Sequence, residues 1–197
     1  MIKMIKLKIL VIGPCESGKT TIANLLAEAT ENAVGDYRPT QAVRILEFEC
    51  QNLNVNNTLL GCEIELWDCS GNRRFEPCWP AVKQDAQGVV LVYNPSAPDH
   101  PRELELLHSY FVAQAGLGPG QCLLVAHLRQ AADRDARASV KLSNALARLK
   151  QVSWNTDEGS SRLRADFSGF VETLLGQASS RSDQEELGIL GSQRPPA

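Results

Sequence analysis

The stretch Gly13-Pro14-Cys15-Glu16-Ser17-Gly18-Lys19-Thr20 has residue types and spacing that suit phosphate. It reads G-x-x-x-x-G-K-T, the phosphate-binding loop. Backbone N–H groups of such a loop, and of the helical turn it opens, converge on one point and favour an anion there. Gly13, Cys15, Glu16, Ser17, Gly18, Lys19, Thr20 and Thr21 are therefore the candidate nucleotide-binding residues. Lys19 adds a movable positive charge for the β- and γ-phosphates, and Thr20 offers a hydroxyl ligand to Mg²⁺. Taken alone, the loop leaves GTPase, ATPase and nucleoside kinase open.

The flanking segments place the loop where this chemistry needs it. The apolar run Ile5 to Ile12 reads as a buried strand, and Thr21 to Glu28 reads as an amphipathic helix. A polar stretch follows from Thr30 to Pro39. Ala42–Cys50 and Gly61–Trp67 then read as an antiparallel hairpin across an Asn-rich turn. Gly88–Tyr93 and Cys122–Ala126 read as central strands. Helices are expected around Glu103 to Ala115 and Arg162 to Leu175. Strands alternating with helices imply an α/β fold with a doubly wound, mostly parallel sheet. Ligands in such sheets sit at the C-terminal strand ends, where the phosphate loop lies.

Composition narrows the class further. A chain of 197 residues suits one domain with a short appendage. The net charge of −3 gives no electrostatic reason to expect nucleic acid or an anionic membrane. No segment approaches the ~20 apolar residues of a membrane span. No secretory leader is expected, and neither of the two common lipid-anchor signals is present, so no direct lipid anchor is expected. The six cysteines have neither C-x-x-C nor zinc-ligand spacing and read as reduced thiols. From residue 177 the composition turns to Ser, Gln, Glu and Arg. This divides the chain into a nucleotide-binding domain, 1–176, and a polar, disordered tail, 177–197.

Two further motifs choose among the nucleotide-binding classes. Tyr37-Arg38-Pro39-Thr40 lies between the first helix and the second strand, and Asp68-Cys69-Ser70-Gly71 directly follows the third. With these the chain resembles the Ras/Rab small GTPases, whose switches carry Y-x-P-T and D-x-x-G. The resemblance implies a P-loop small-GTPase fold with six strands, one of them an antiparallel edge. It implies GTP or GDP and Mg²⁺ as ligands. Thr20 and Thr40 would reach the metal directly, Asp68 would hold it through water, and the Gly71 amide would meet the γ-phosphate. Both loops then respond to loss of that phosphate. The stretches Thr40-Gln41-x-Val43-Arg44-Ile45-Leu46-Glu47-Phe48-Glu49, Glu65-Leu66-Trp67-Asp68-Cys69 and Cys78-Trp79-Pro80-Ala81 resemble, more narrowly, the Rab-like protein 5 or intraflagellar transport protein 22 family. That likeness implies a subunit of the intraflagellar transport B complex that binds its coiled-coil subunits and acts in cilium assembly. It also implies a location in the cilium or flagellum and basal body region, with a cytoplasmic pool.

The sequence departs from a working GTPase at the base and at the attacking water. Where N-K-x-D would follow the fifth strand stands His127-Leu128-Arg129-Gln130; Asp133 and Asp135 come later. Val152-Ser153-Trp154-Asn155 is a weak counterpart of the S-A-K signal. No aromatic stands between Thr21 and Asp36 to cover a base. The candidate catalytic residue is Asn72, one methylene shorter than the usual water-positioning Gln. Arg73 and Arg74 read either as a solvated helix start or as cations near the γ-phosphate. Trp67 reads as core; Trp79 reads equally as core or as a partner anchor. Phosphate and metal binding are expected to survive, with poor base selectivity and little hydrolysis. A nucleotide-binding adaptor, a cycling GTP-specific GTPase and a structural module without functional nucleotide all remain open.

Overall fold

The computed structural model describes residues 5–28, 40–155 and 159–192. The elements are β1 (Ile5–Ile12), α1 (Lys19–Leu26), β2 (Val43–Val55), β3 (Thr58–Cys69), α2 (Trp79–Lys83), β4 (Gly88–Tyr93), α3 (His100–His108), β5 (Cys122–Leu128), α4 (Ala131–Ser139), α5 (Asn144–Ala147), β6 (Lys150–Asn155) and α6 (Ser161–Ser192). The strands form one sheet in the order β2-β3-β1-β4-β5-β6. Only β2 is antiparallel, and it forms an edge. This is the doubly wound small-GTPase sheet expected.

The period-2 rule divides the core into two layers. Leu7, Ile9 and Val11 face one side of β1 with Ile22, Phe167, Phe170 and Val171. Leu10 and Ile12 face the other with Tyr93, Leu104 and Phe111. The β4 and β5 strands, apolar apart from His127, are buried on both faces, as central parallel strands must be. The hairpin turn is the pair Asn56-Asn57, with φ of 50° and 63°. Positive φ at both central residues matches the twist of the flanking strands, and Asn tolerates it.

Several boundaries differ from the sequence reading. The β2 and β3 strands extend through most of the Asn-rich segment, with a register shift between Cys50 and Leu53 that absorbs Asn52 at φ 60°. The helix after β4 becomes a π turn at Ser109–Ala113, closed by Gln114 N donating to Ser109 O. Its Tyr110 and Phe111 rings pack on Trp79, at 5.2 and 5.1 Å between centroids. Trp79 is thus tied into the core layer, while Trp67 lies half-buried with Lys8 Nζ 3.7 Å from its ring centroid. The last helix runs to Ser192, beyond residue 176 where the tail was expected. Leu174 and Leu175 are buried, and residues 176–179 are half-buried or exposed. No proline interrupts the segment before residue 195, so the backbone has no covalent reason to leave the helix there.

Candidate nucleotide site

At the C-terminal end of β1 the chain turns through the phosphate loop into α1. Glu16 takes a φ of 59° and Gly18 a φ of 95°, so the loop is wound through two left-handed positions. Gly18 is the N-cap of α1, and a Cβ there would overlap the His127 ring. Gly13 is constrained by space, because a Cβ there would overlap the Val92 carbonyl oxygen of β4. Small residues are therefore enforced by close approach as well as by torsion. Cys15, Glu16 and Thr21 are exposed around the loop, while Ser17 and Lys19 are buried.

Lys19 Nζ reaches back over the loop, donating to Pro14 O at 2.6 Å and approaching Ser17 Oγ at 3.5 Å. Burial lowers its pKa, and the nearby Asp68 carboxylate acts against that shift. A buried ammonium with these partners is a charge held ready for an anion.

Thr20, Thr40 and Asp68 come together from α1, the start of the hairpin and the end of β3. Thr20 Oγ1 donates to Asp68 Oδ2 at 2.8 Å, and Thr40 Oγ1 lies 3.0 Å from Thr20 Oγ1 and 3.4 Å from Asp68 Oδ2. Asp68 is fully buried, and its Oδ1 has no hydrogen-bond partner among the described residues. Burial raises the carboxyl pKa; Thr20, Arg44 and Lys19 pull it back only in part. This set fits Mg²⁺. Octahedral Mg–O bonds of about 2.1 Å place neighbouring ligand oxygens roughly 3.0 Å apart, which matches the two threonine hydroxyls. The Thr20 proton points to Asp68 and leaves oxygen lone pairs for a metal. The unpartnered Oδ1 suits a metal-bound water. A metal there would neutralise phosphate charge.

The two switch segments are joined. Ser70 N donates to Ala42 O at 2.8 Å, and Arg74 Nη2 donates to Gln41 Oε1 at 2.6 Å. Gly71 lies against the phosphate loop; a Cβ there would come within 2.6 Å of Cys15 N. Asn72 is exposed and caps the 3-10 turn Arg73–Cys78, its Oδ1 accepting from Arg74 N at 3.0 Å. That bond fixes the orientation of the amide and uses one of the two lone pairs that a water-orienting residue would offer. Arg74 also lies over the Phe75 ring, at 4.5 Å from its centroid. Tyr37, Arg38 and Pro39 lie outside the described residues.

The base end is built differently. His127 and Leu128 belong to β5 itself, beyond the Ala126 limit read from the sequence, and His127 pairs with Trp154 of β6. His127 Nδ1 lies 3.1 Å from Ser17 O. A carbonyl only accepts, so Nδ1 carries a proton. Burial holds its pKa below 6.5, partly offset by this bond. The ring stacks on Trp154 at 5.3 Å and 22°. Asp133 is buried under α4, where Oδ2 accepts from Arg129 N at 2.6 Å and Gln130 N at 3.1 Å, and Oδ1 accepts from Ser96 Oγ. Burial would raise its pKa, but these donors outweigh it and hold the carboxyl below its ordinary value. Asp133 is thus a helix cap, with its oxygens committed. Sequence reading missed the His127 tie to the loop and the Arg44 contact to Asp68. Only pairing β5 with the loop, and β2 with β3 in register, reveals them.

The sheet order, the phosphate loop and the Thr20-Thr40-Asp68 cluster define a small-GTPase-type nucleotide-binding domain. The family model described as "Ras of Complex, Roc, domain of DAPkinase" matches residues 8–127. The chain is 44% identical over 187 residues to the "Intraflagellar transport protein 22 homolog" of Homo sapiens, covering 95% of this chain and 100% of that protein. It is 30% identical to "Intraflagellar transport associated protein 2" of Caenorhabditis elegans, over 92% of this chain and 82% of that protein. Among solved structures it resembles the GTP-bound T. brucei IFT22/74/81 crystal structure, with a TM-score of 0.73 and 27% identity. That match covers 89% of this chain and 98% of the other. The GDP-bound T. brucei IFT22 structure follows at a TM-score of 0.64 and 26% identity, covering 86% and 96%. The chain belongs to the intraflagellar transport protein 22 family.

Proposed function

We propose that the protein is a Rab-like, guanine-nucleotide-binding subunit of the intraflagellar transport B complex. It serves ciliary transport as an adaptor whose bound nucleotide shapes a docking surface. The observation that carries this reading is the convergence of Thr20, Thr40 and Asp68 beside the buried Lys19. These are the groups that bind a phosphate chain and its Mg²⁺. GTP- and GDP-bound structures of a similar T. brucei protein support guanine nucleotide as the ligand, and its assembly with subunits 74 and 81 supports such partners here. Coiled-coil segments of the equivalent subunits would dock beside the joined switches. Presence at the basal body and in a cytoplasmic pool follows from the same role.

Hydrolysis is slow in this account. Asn72 is short and its Oδ1 is taken by Arg74 N, and Arg74 is held by Gln41. The packed domain spans residues 1–176, with 177–197 an appendage beyond its core. Co-purification of the protein with its 74- and 81-type partners tests the docking face. Arg73→Glu with Arg74→Glu removes the Gln41 bridge and reverses the local charge, and is expected to reduce the recovered complex at least severalfold. Unchanged recovery would remove the switch face from the proposal.

A further inference from the structure

The antiparallel register places Arg44 of β2 directly opposite Asp68 of β3. Arg44 Nε lies 3.8 Å from Asp68 Oδ2, and Nη2 donates to Asn24 Oδ1 on α1, one turn beyond Thr20. The guanidinium is thus clamped between the helix that carries Thr20 and the carboxylate that faces the metal position. Arg44 is partly shielded, with 30% of its side chain exposed, while Asp68 has none. We infer that Arg44 is a resident counter-charge for Asp68 that lowers this site's affinity for Mg²⁺ and lets nucleotide remain bound when the metal is scarce.

The reasoning is electrostatic and rests on the nucleotide-binding reading above. A fully buried carboxylate without a cation is costly, so something must compensate it in the metal-free state. Arg44 and Lys19 do so without an ion. Two cations sharing one carboxylate each reduce what the other gains, and at this separation and partial burial the effect is substantial. With Asp68 already compensated by Arg44, loss of the metal leaves less uncompensated negative charge beside a bound nucleotide. Arg44 touches no reacting atom in this account. It is a positioning residue that sets metal dependence.

The test follows GDP-dependent thermal stabilisation and fluorescent-GDP release across a Mg²⁺ titration, in wild type, Arg44→Gln and Arg44→Lys. The Mg²⁺ midpoint of Arg44→Gln is expected to fall about tenfold, with chelator-triggered GDP release accelerated more than in wild type. Arg44→Lys, which keeps the charge, is expected to stay close to wild type. A purely structural role would lower stability equally at all Mg²⁺ concentrations. An unmoved or higher midpoint, or a lysine variant that behaves like glutamine, overturns the inference. Should Arg44→Gln not fold, Asn24→Ala frees the guanidinium from its second anchor and is expected to shift the midpoint the same way by a smaller factor; no shift there also overturns it. If wild type shows no stabilisation by GDP at any Mg²⁺ concentration, the nucleotide-binding reading itself fails, which is a distinct result.

Discussion

The phosphate end and the base end of the groove have been treated differently by this sequence. At the phosphate end, Lys19, Thr20, Thr40 and Asp68 keep the groups and spacings that a phosphate chain and Mg²⁺ require. At the base end, the positions that read guanine in small GTPases carry His127, Leu128 and Gln130, and His127 is engaged within the protein through Nδ1 and its ring face, while its Nε2 has no hydrogen-bond partner among the described residues. His127 Nδ1 binds Ser17 O, and its ring stacks on Trp154. Asp133 caps the α4 backbone. The base end has become a brace that holds the phosphate loop from behind. Strand β5 thus supports the phosphate loop through a contact that does not depend on any base.

The comparison can be broken most forcefully at the phosphate end. Lys19→Ala combined with Thr20→Ala is expected to cost at least roughly 100-fold in GDP affinity, because each removes a charge-assisted or metal contact. Circular dichroism should show the fold retained, since the Lys19 partners Pro14 O and Ser17 Oγ lie in the phosphate loop and not in the core layers. Affinity within a few-fold of wild type would mean that the phosphate end is not the binding determinant.

A smaller effect is expected at the brace. His127→Ala removes a buried ring and a hydrogen bond to the loop, and should destabilise the protein by about 2 to 3 kcal/mol. GDP affinity should fall by less than in the Lys19/Thr20 variant, because the phosphate groups remain. Chemical denaturation and a GDP titration on the same variant separate the two. If affinity collapses while stability holds, His127 is a ligand contact and the brace account is wrong.

The smallest effect concerns acid. Burial holds His100, His108 and His127 below 6.5 in the folded protein. The unfolded chain therefore takes up protons first as pH falls through 6.5, and stability must drop. A denaturation midpoint that declines from pH 7.5 to 5.5 is expected, with a shallower slope in His127→Ala. A flat or rising midpoint would show that these histidines are not held neutral.

Legibility divides along the same line. The phosphate loop, Thr40 and Asp68 are local words in the sequence, and each sits at a strand end where the α/β pattern places ligands. The β4 strand and residues 122–126 of β5 are continuous apolar runs, and β1 ends in one after its two lysines. By contrast, β6 reads Lys150-Gln151-Val152-Ser153-Trp154-Asn155 and offers no such run; it forms because β5 presents an open edge to pair with. Its partner His127 looked like a post-strand loop residue for the same reason. Arg44 is opposite Asp68 only through the hairpin register, a long-range fact that no spacing along the chain expresses. The bond from Ser96 Oγ to Asp133 Oδ1 likewise joins positions far apart in sequence.

Competition for bound fluorescent GDP, in saturating Mg²⁺, tests the central contrast most directly. GDP and ADP should displace it with affinities within about tenfold of each other, because in this account the phosphates supply the binding and Asp133, the acidic side chain described after β5, has its oxygens engaged by Arg129 N, Gln130 N and Ser96 Oγ. A site that truly hydrogen-bonds its base discriminates by roughly 10⁴-fold or more. Preference for GDP on that scale would contradict the account and show that guanine is read by residues other than those lost after β5.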